Sequence, residues 1–296
     1  MTQRIIRRRE VPEGEHELPN GLPEVIQRIL LSRGVKDTNA MSLDLPSLLR
    51  PEQLGGAQEA AQILANAIEQ DQSILIVGDF DADGATGTAV ALLALRAMGA
   101  RRVDFRVPNR FEFGYGLTEG LVGTLEPDPP DIVLTVDSGI SCVAGVSRAR
   151  QLGCTVVITD HHLPGDQLPP AHAIVNPNVS DNEFPGKATA GGGVMFYLLS
   201  VLRQVLHGRG WFTGRRTAPN LASYLDLVAL GTVADLVPLD HNNRVLVRQG
   251  LERIRRGLAR PGLLALMRLG KRDYRFASAS DPVSYTHLRA HETRYV

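Results

Sequence analysis

Cysteine is nearly absent: Cys142 and Cys154 are the only two. They are too few and too far apart for a zinc motif or a disulfide framework, and read as reduced thiols. Aromatic residues make up only 5% of the chain, so no obvious set of base-stacking side chains stands out. Neither sign of charge is in excess; 32 basic and 32 acidic residues leave a formal net charge of zero. That excludes a global positive field, so any polyanion would have to be held locally. No apolar run reaches the roughly 18 to 20 residues of a membrane span. The basic start after Met1 lacks the apolar core of a secretory signal, so a cytoplasmic setting without membrane contact is expected. What remains is 296 residues, 43% hydrophobic and 22% charged, enough for one large domain or two modest ones.

The most informative stretch is Ile74 to Gly84, ILIVGDFDADG. An apolar run stops at Gly78, and Asp79, Asp81 and Asp83 follow at alternate positions. Small residues then lead into an apolar run from Ala89 to Met98. The pattern predicts strand, acidic turn, helix, with the carboxylates at the carboxyl edge of an open sheet, where ligands bind in such folds. Crowded carboxylates repel one another, and a divalent cation is the economical remedy. Asp79-x-Asp81-x-Asp83-Gly84 also matches the start of an EF-hand loop. The twelfth position of that loop must be a bidentate glutamate and is Val90 here, which excludes it. A solvated acidic turn is the plain alternative.

Along the chain, residues 1–50 read as an irregular extension interrupted by Pro12, Pro19 and Pro23, with one short amphipathic helix from Leu22 to Gly34. Arg4, Arg7, Arg8 and Arg9 form a basic start, either a solvated terminus or a phosphate contact. Leu54, Ala57, Ala61, Leu64 and Ile68 fit a helix before the first strand. Four more strands are expected: Val103 to Val107, Ile132 to Val136, Val156 to Thr159 and Ala173 to Val175, alternating with helices. This is a βαβ series, so the fold class is α/β with a mostly parallel sheet flanked by helices. Three strands run directly into aspartate: Asp79, Asp137, and Asp160 followed by His161 and His162. That repetition argues for metal ligands gathered at one sheet edge. Gly191, Gly192 and Gly193 precede an apolar helix from Val194 to Leu206; they could admit a phosphate to the helix N-terminus or allow tight packing. Asp226 and Asp235 lie in an apolar stretch and need partners, a metal for Asp235 and a neighbour or solvent for Asp226.

GDFDADG at 78–84, VDSG at 136–139, DHH at 160–162 and GTVADLVPL at 231–239 resemble the four motifs of the DHH phosphoesterases. Within that family, the stretches 107–117 and 157–178 are similar to those of bacterial exonucleases that digest single-stranded DNA from the 5′ end, in DNA repair and recombination. The resemblance implies that Asp81, Asp83, Asp137, His161 and Asp235 hold two Mn²⁺ ions, with Mg²⁺ as a substitute, that Asp137 bridges them, and that Asp79 is an extra ligand. Many members carry a histidine where this chain has Val77. It further implies that His162 faces the phosphate, that Asp160 orients a histidine, and that Asn109 and Arg110 lie on the substrate side. Arg110 suits a 5′-phosphate because guanidinium matches its geometry, a surface salt bridge being the alternative. Oxygen ligands with one imidazole suit Mn²⁺ or Mg²⁺ better than zinc.

Two rival functions are a phosphoesterase of short oligonucleotides or cyclic dinucleotides, and an inactive DHH-like binding scaffold. Against the second, none of the four motifs has lost its carboxylates. The family resemblance places the catalytic domain at 51–281, without the DHH-associated and OB-fold domains that follow it in longer members. Residues 282–296 resemble a translated sequencing adapter and are expected not to be native. A monomer acting on single-stranded DNA is expected, and nothing in the sequence indicates a protein partner.

Overall fold

A computed structural model describes residues 10–12, 14–214 and 216–281. The arginines at 4 and 7–9 and the tail from 282 onward therefore lie outside the described residues.

Five strands form one fully parallel sheet: β1 (Ile74–Gly78), β2 (Val103–Arg106), β3 (Ile132–Val136), β4 (Thr155–Thr159) and β5 (Ala173–Val175), in the order β2-β1-β3-β4-β5. The three central strands are mostly apolar and nearly all buried because both faces are covered. Ile74, Ile76, Leu134 and Val157 point to one face and pack with α2 (Ala57–Glu69), α3 (Ala82–Met98), α6 (Gly191–Gly208) and α7 (Leu225–Ala234). Leu75, Val77, Val133, Val156 and Ile158 point to the other, against α4 (Glu119–Gly123) and α5 (Val143–Gln151). Val77 is thus a core residue of the second face.

A smaller core joins α7 to α8 (His241–Arg255) and α9 (Pro261–Leu269) through Val233, Val247, Leu251, Leu263 and Met267. Asp226 is bound by a neighbour: its carboxylate accepts from the Arg260 amide at 2.8 Å and pairs with the Arg260 guanidinium at 3.0 Å.

The described part of the extension before residue 50 is irregular apart from 3₁₀ turns and one helix, α1 (Glu24–Leu31), which buries no side chain. Its last part is tied to α8: Asn242 accepts from the Leu49 amide, and Gln249 donates to the Leu43 carbonyl at 2.7 Å. Two helices begin earlier than the apolar runs predict. α3 starts at Ala82 because the Asp81 side chain caps it, accepting from Gly84 N–H at 2.8 Å. α6 starts at Gly191, so the glycine run is its first turn rather than a loop before it.

Candidate metal centre

The register builds the site. Gly78, Val136 and Thr159 lie side by side across β1, β3 and β4, and Thr159 pairs with Val175 of β5. The next residues, Asp79, Asp137, Asp160 and Asn176, therefore emerge in one row at the carboxyl edge. Asp137 adopts a left-handed backbone, φ 59°, which aspartate tolerates better than most residues. Its carbonyl accepts from the Tyr115 hydroxyl at 3.1 Å.

Asp83 sits in the first turn of α3, 1% exposed, and reaches across to α6. Its carboxylate accepts from Gly191 N–H at 2.6 Å and Gly192 N–H at 3.1 Å, at the positive end of that helix. Of the two readings of the glycine run, close packing is the one observed. The amides of Gly191 and Gly192 serve a carboxylate of the protein itself rather than standing free for a phosphate. A Cβ at Gly191 would lie 2.3 Å from Asp137 Oδ1, and one at Gly231 would lie 2.3 Å from Asp83 Oδ1.

Asp160 organises the histidine pair. Its carboxylate accepts from the amides of Ile140, His161 and His162, and binds His162 Nδ1 at 2.7 Å. Asn176 and Asn178 hold the carbonyls of His162 and His161 at 2.9 and 2.6 Å. His161 then projects into the carboxylate cluster, with Nε2 3.1 Å from Asp137 Oδ1 and 3.6 Å from Asp235 Oδ2.

The cluster is electrostatically expensive. Burial, with Asp81 and Asp160 adding to it, pushes Asp137 up to about 9. Burial and then Asp137 hold Asp83 well above the ordinary carboxylate range, and burial raises Asp79 to about 6. The Asp160 hydrogen bond raises His162 to about 9. For Asp160, burial works upward, but the His162 and amide bonds outweigh it and keep the carboxyl below its ordinary value.

Asp137 Oδ1 and His161 Nε2 are buried, face each other, and have no hydrogen-bond partner among the described residues. Three groups of side chains each bring three donor atoms within 4.8 Å of one another: Asp137, His161 and His162; Asp83, His161 and Asp235; Asp79, Asp81 and Asp137. Orphaned, converging donors of this kind fit a divalent cation, and a set rich in oxygen with imidazole suits Mn²⁺ or Mg²⁺.

All six residues expected as ligands are thus in one place, with His162 beside them. Arg110 places its guanidinium 4.7 Å from the centre of the ring of Phe80, the residue between Asp79 and Asp81. Asn109 is exposed, and its side-chain oxygen accepts from the Phe111 amide at 3.1 Å. Tyr115, Phe80, Asn176 and Asn178 were not singled out from sequence. The asparagines carried a signal, since they follow the fifth strand as the aspartates follow theirs. Tyr115 had no local signature beyond its place in the 107–117 stretch.

Residues 73–232 match the model of the DHH family, N-terminal domain. The chain is 51% identical over 283 residues to the single-stranded-DNA-specific exonuclease RecJ of Escherichia coli, covering 95% of this chain and 49% of that one. It is 38% identical to RecJ of Bacillus subtilis, covering 84% of this chain and 30% of that one. The chain thus spans about half, or less, of the length of these curated relatives. Among solved structures, an exonuclease RecJ bound to manganese superposes with a TM-score of 0.66 at 36% identity, over 77% of this chain and 55% of that one. RecJ of Thermus thermophilus with Mn²⁺ gives 0.69 at 33% identity, over 86% and 34%. The same protein has been solved with Mg²⁺.

Proposed function

Because the chain belongs to the DHH family, we propose that it hydrolyses phosphodiester bonds of single-stranded DNA from the 5′ end, using two divalent ions, Mn²⁺ or Mg²⁺. The observation that carries this reading is the buried pair Asp137 Oδ1 and His161 Nε2, 3.1 Å apart with no hydrogen bond, at the crossing point of three donor groups. Asp79, Asp81 and Asp137 would hold one ion and Asp83, His161 and Asp235 the other, with Asp137 close enough to His161 to serve both. Bound ions of this kind generate a nucleophile from water near neutral pH and stabilise the departing oxygen.

The remaining residues do their part without the metals. Asp160 binds Nδ1 of His162, which leaves Nε2 as the outward nitrogen, and the same bond keeps the ring protonated near neutral pH. A protonated His162 can donate to a phosphoryl oxygen. Arg110, stacked on Phe80 beside the cluster, supplies a fork of donors for the 5′-phosphate, with Asn109 next to it. Residues 51–281 form the proposed catalytic unit. The similarity to proteins named as single-stranded-DNA-specific exonucleases supports this choice of substrate over short oligonucleotides.

The test is digestion of a 3′-labelled, 5′-phosphorylated single strand with Mn²⁺, beside a duplex and a dinucleotide. Stepwise shortening from the 5′ end that stops with EDTA is expected. Activity confined to dinucleotides, or indifferent to metal, would overturn the proposal.

A further inference from the structure

We propose that Asn243 is a positioning residue that sets the spacing of the metal-binding carboxylates Asp83 and Asp235; this rests on the metal-dependent reading above. Asn243 is completely buried in the first turn of α8, and Asp240, which caps that helix, accepts its amide at 2.8 Å. Its side-chain nitrogen donates twice, to the Ala188 carbonyl at 2.7 Å and the Pro238 carbonyl at 2.9 Å. Its side-chain oxygen makes no hydrogen bond among the described residues. An unpaired buried acceptor costs free energy, which the two donated bonds offset.

The two carbonyls belong to the two segments that bracket the site. Ala188 stands three residues before Gly191, whose amide grips Asp83 and whose Cα lies against Asp137. The neighbouring Asn242 side chain points its nitrogen at Thr189 Oγ1, 3.4 Å away, on the same segment. Pro238 stands three residues after Asp235, on a loop that turns through Leu236 with φ 62°. A bulky residue with a left-handed backbone is strained and persists only where the surroundings over-determine it. Leu236 is 56% exposed, so its own side chain does not hold it there. The Pro238 carbonyl accepts from the Asn243 side chain and from the amide of the cap residue Asp240, both at 2.9 Å, and these bonds tie the strained loop to the first turn of α8. One side chain thus fixes the Asp235 loop relative to the turn that holds Asp83.

The experiment uses Mn²⁺ alone as the probe, titrated into wild type, Asn243→Ala and Asn243→Ala with Leu236→Gly, beside the melting temperature of each in EDTA. Absence of Mn²⁺ binding by wild type would sink the metal reading itself, before Asn243 is in question. If wild type binds, Asn243→Ala is expected to weaken the Mn²⁺ Kd by about tenfold or more, as loss of supporting hydrogen bonds does at metal sites. Leu236→Gly relieves the left-handed strain and should recover most of that loss. A Kd for Asn243→Ala within about twofold of wild type, or no recovery by Leu236→Gly, overturns the proposal. Should Asn243→Ala not fold, Asn243→Ser, which keeps one donor, takes its place. Failure of both to fold counts against it, since it would make Asn243 a residue of the fold rather than of the site.

Discussion

Gly191→Ala tests the geometry of the centre more sharply than loss of a ligand does. The added methyl would sit 2.3 Å from Asp137 Oδ1 and 2.6 Å from its Cβ, so one partner must retreat by about 1 Å to reach an ordinary 3.4 Å contact. Neither can do so freely. Asp137 is 1% exposed, on a strand end in a left-handed conformation. Gly191 is anchored through its amide to Asp83. Whichever moves, a carboxylate of the cluster moves with it. Overpacking of a rigid site costs about 1–3 kcal/mol. Alanine in a helix returns up to about 1 kcal/mol relative to glycine. The net loss of stability should therefore be modest, while a misplacement of about 1 Å costs on the order of 100-fold in rate. The assay pairs the melting temperature in EDTA with kcat/KM on a 5′-phosphorylated single strand in Mn²⁺. Gly208→Ala is the control, at the other end of the same helix with nothing within 4 Å of its added Cβ. A Gly191→Ala protein as active as the Gly208→Ala protein would refute the reasoning.

Asp137→Asn should cost more activity than Asp79→Asn, and its melting temperature in EDTA should be unchanged or higher, because a buried carboxyl among like charges is replaced by a neutral amide; equal activity losses would count against the bridging role. Mn²⁺ at about 100 times its Kd should add about 2.7 kcal/mol of stability, reversed by EDTA, and calorimetry that shows no gain at millimolar Mn²⁺ would argue for a degenerate site. In EDTA, the raised Asp137 and His162 both bind more protons folded than unfolded, so stability should fall as pH rises from about 6 to 9, while the gain from Mn²⁺ grows; a metal-free melting temperature that climbs over that range would contradict this. Arg260→Ala leaves the fully buried Asp226 without its cation and should destabilise by about 3–5 kcal/mol with the Mn²⁺ Kd unchanged, as denaturant titration and metal titration together would report.

Four of the five strands were legible as apolar runs that end in an aspartate or asparagine, and β3 and β5 lie where the pattern puts them. Their register was not legible, yet it is what turns three separate Asp endings into one row. The early starts of α3 and α6 were hidden by glycine and small polar residues that read as turns. In the folded chain those glycines are required by contact: Gly191 and Gly192 approach Asp83 from 108 and 109 residues away. No local pattern reports such a pairing. The extension read only as irregular, and its attachment is tertiary, through bonds from His241, Asn242 and Gln249. The candidate ligands could be named from motifs, and the fold brings them together. The division of labour between His161, aimed at the carboxylates, and His162, held by Asp160, needed coordinates.

Two like charges 4 Å apart repel by about 4 kcal/mol at an effective dielectric of 20, against a total stability of about 5–15 kcal/mol. A row of ionised aspartates could not be carried without compensation, and the chain compensates them unequally. Asp160 has three amides and a histidine. Asp81 has the amide of Gly84, and Asp83 has two amides at the positive end of an 18-residue helix. Asp137, with His161 Nε2 3.1 Å away, is left with an oxygen that makes no hydrogen bond among the described residues. Internal donors thus fix those three carboxylates in place, while Asp137 keeps its charge deficit for something brought from solution. Had Asp137 been given amides as Asp160 was, the cluster would be satisfied within the fold and would hold cations weakly. The order of metal-affinity losses on neutralisation should therefore put Asp137→Asn first and Asp160→Asn last, the reverse of the order in which the fold supports them.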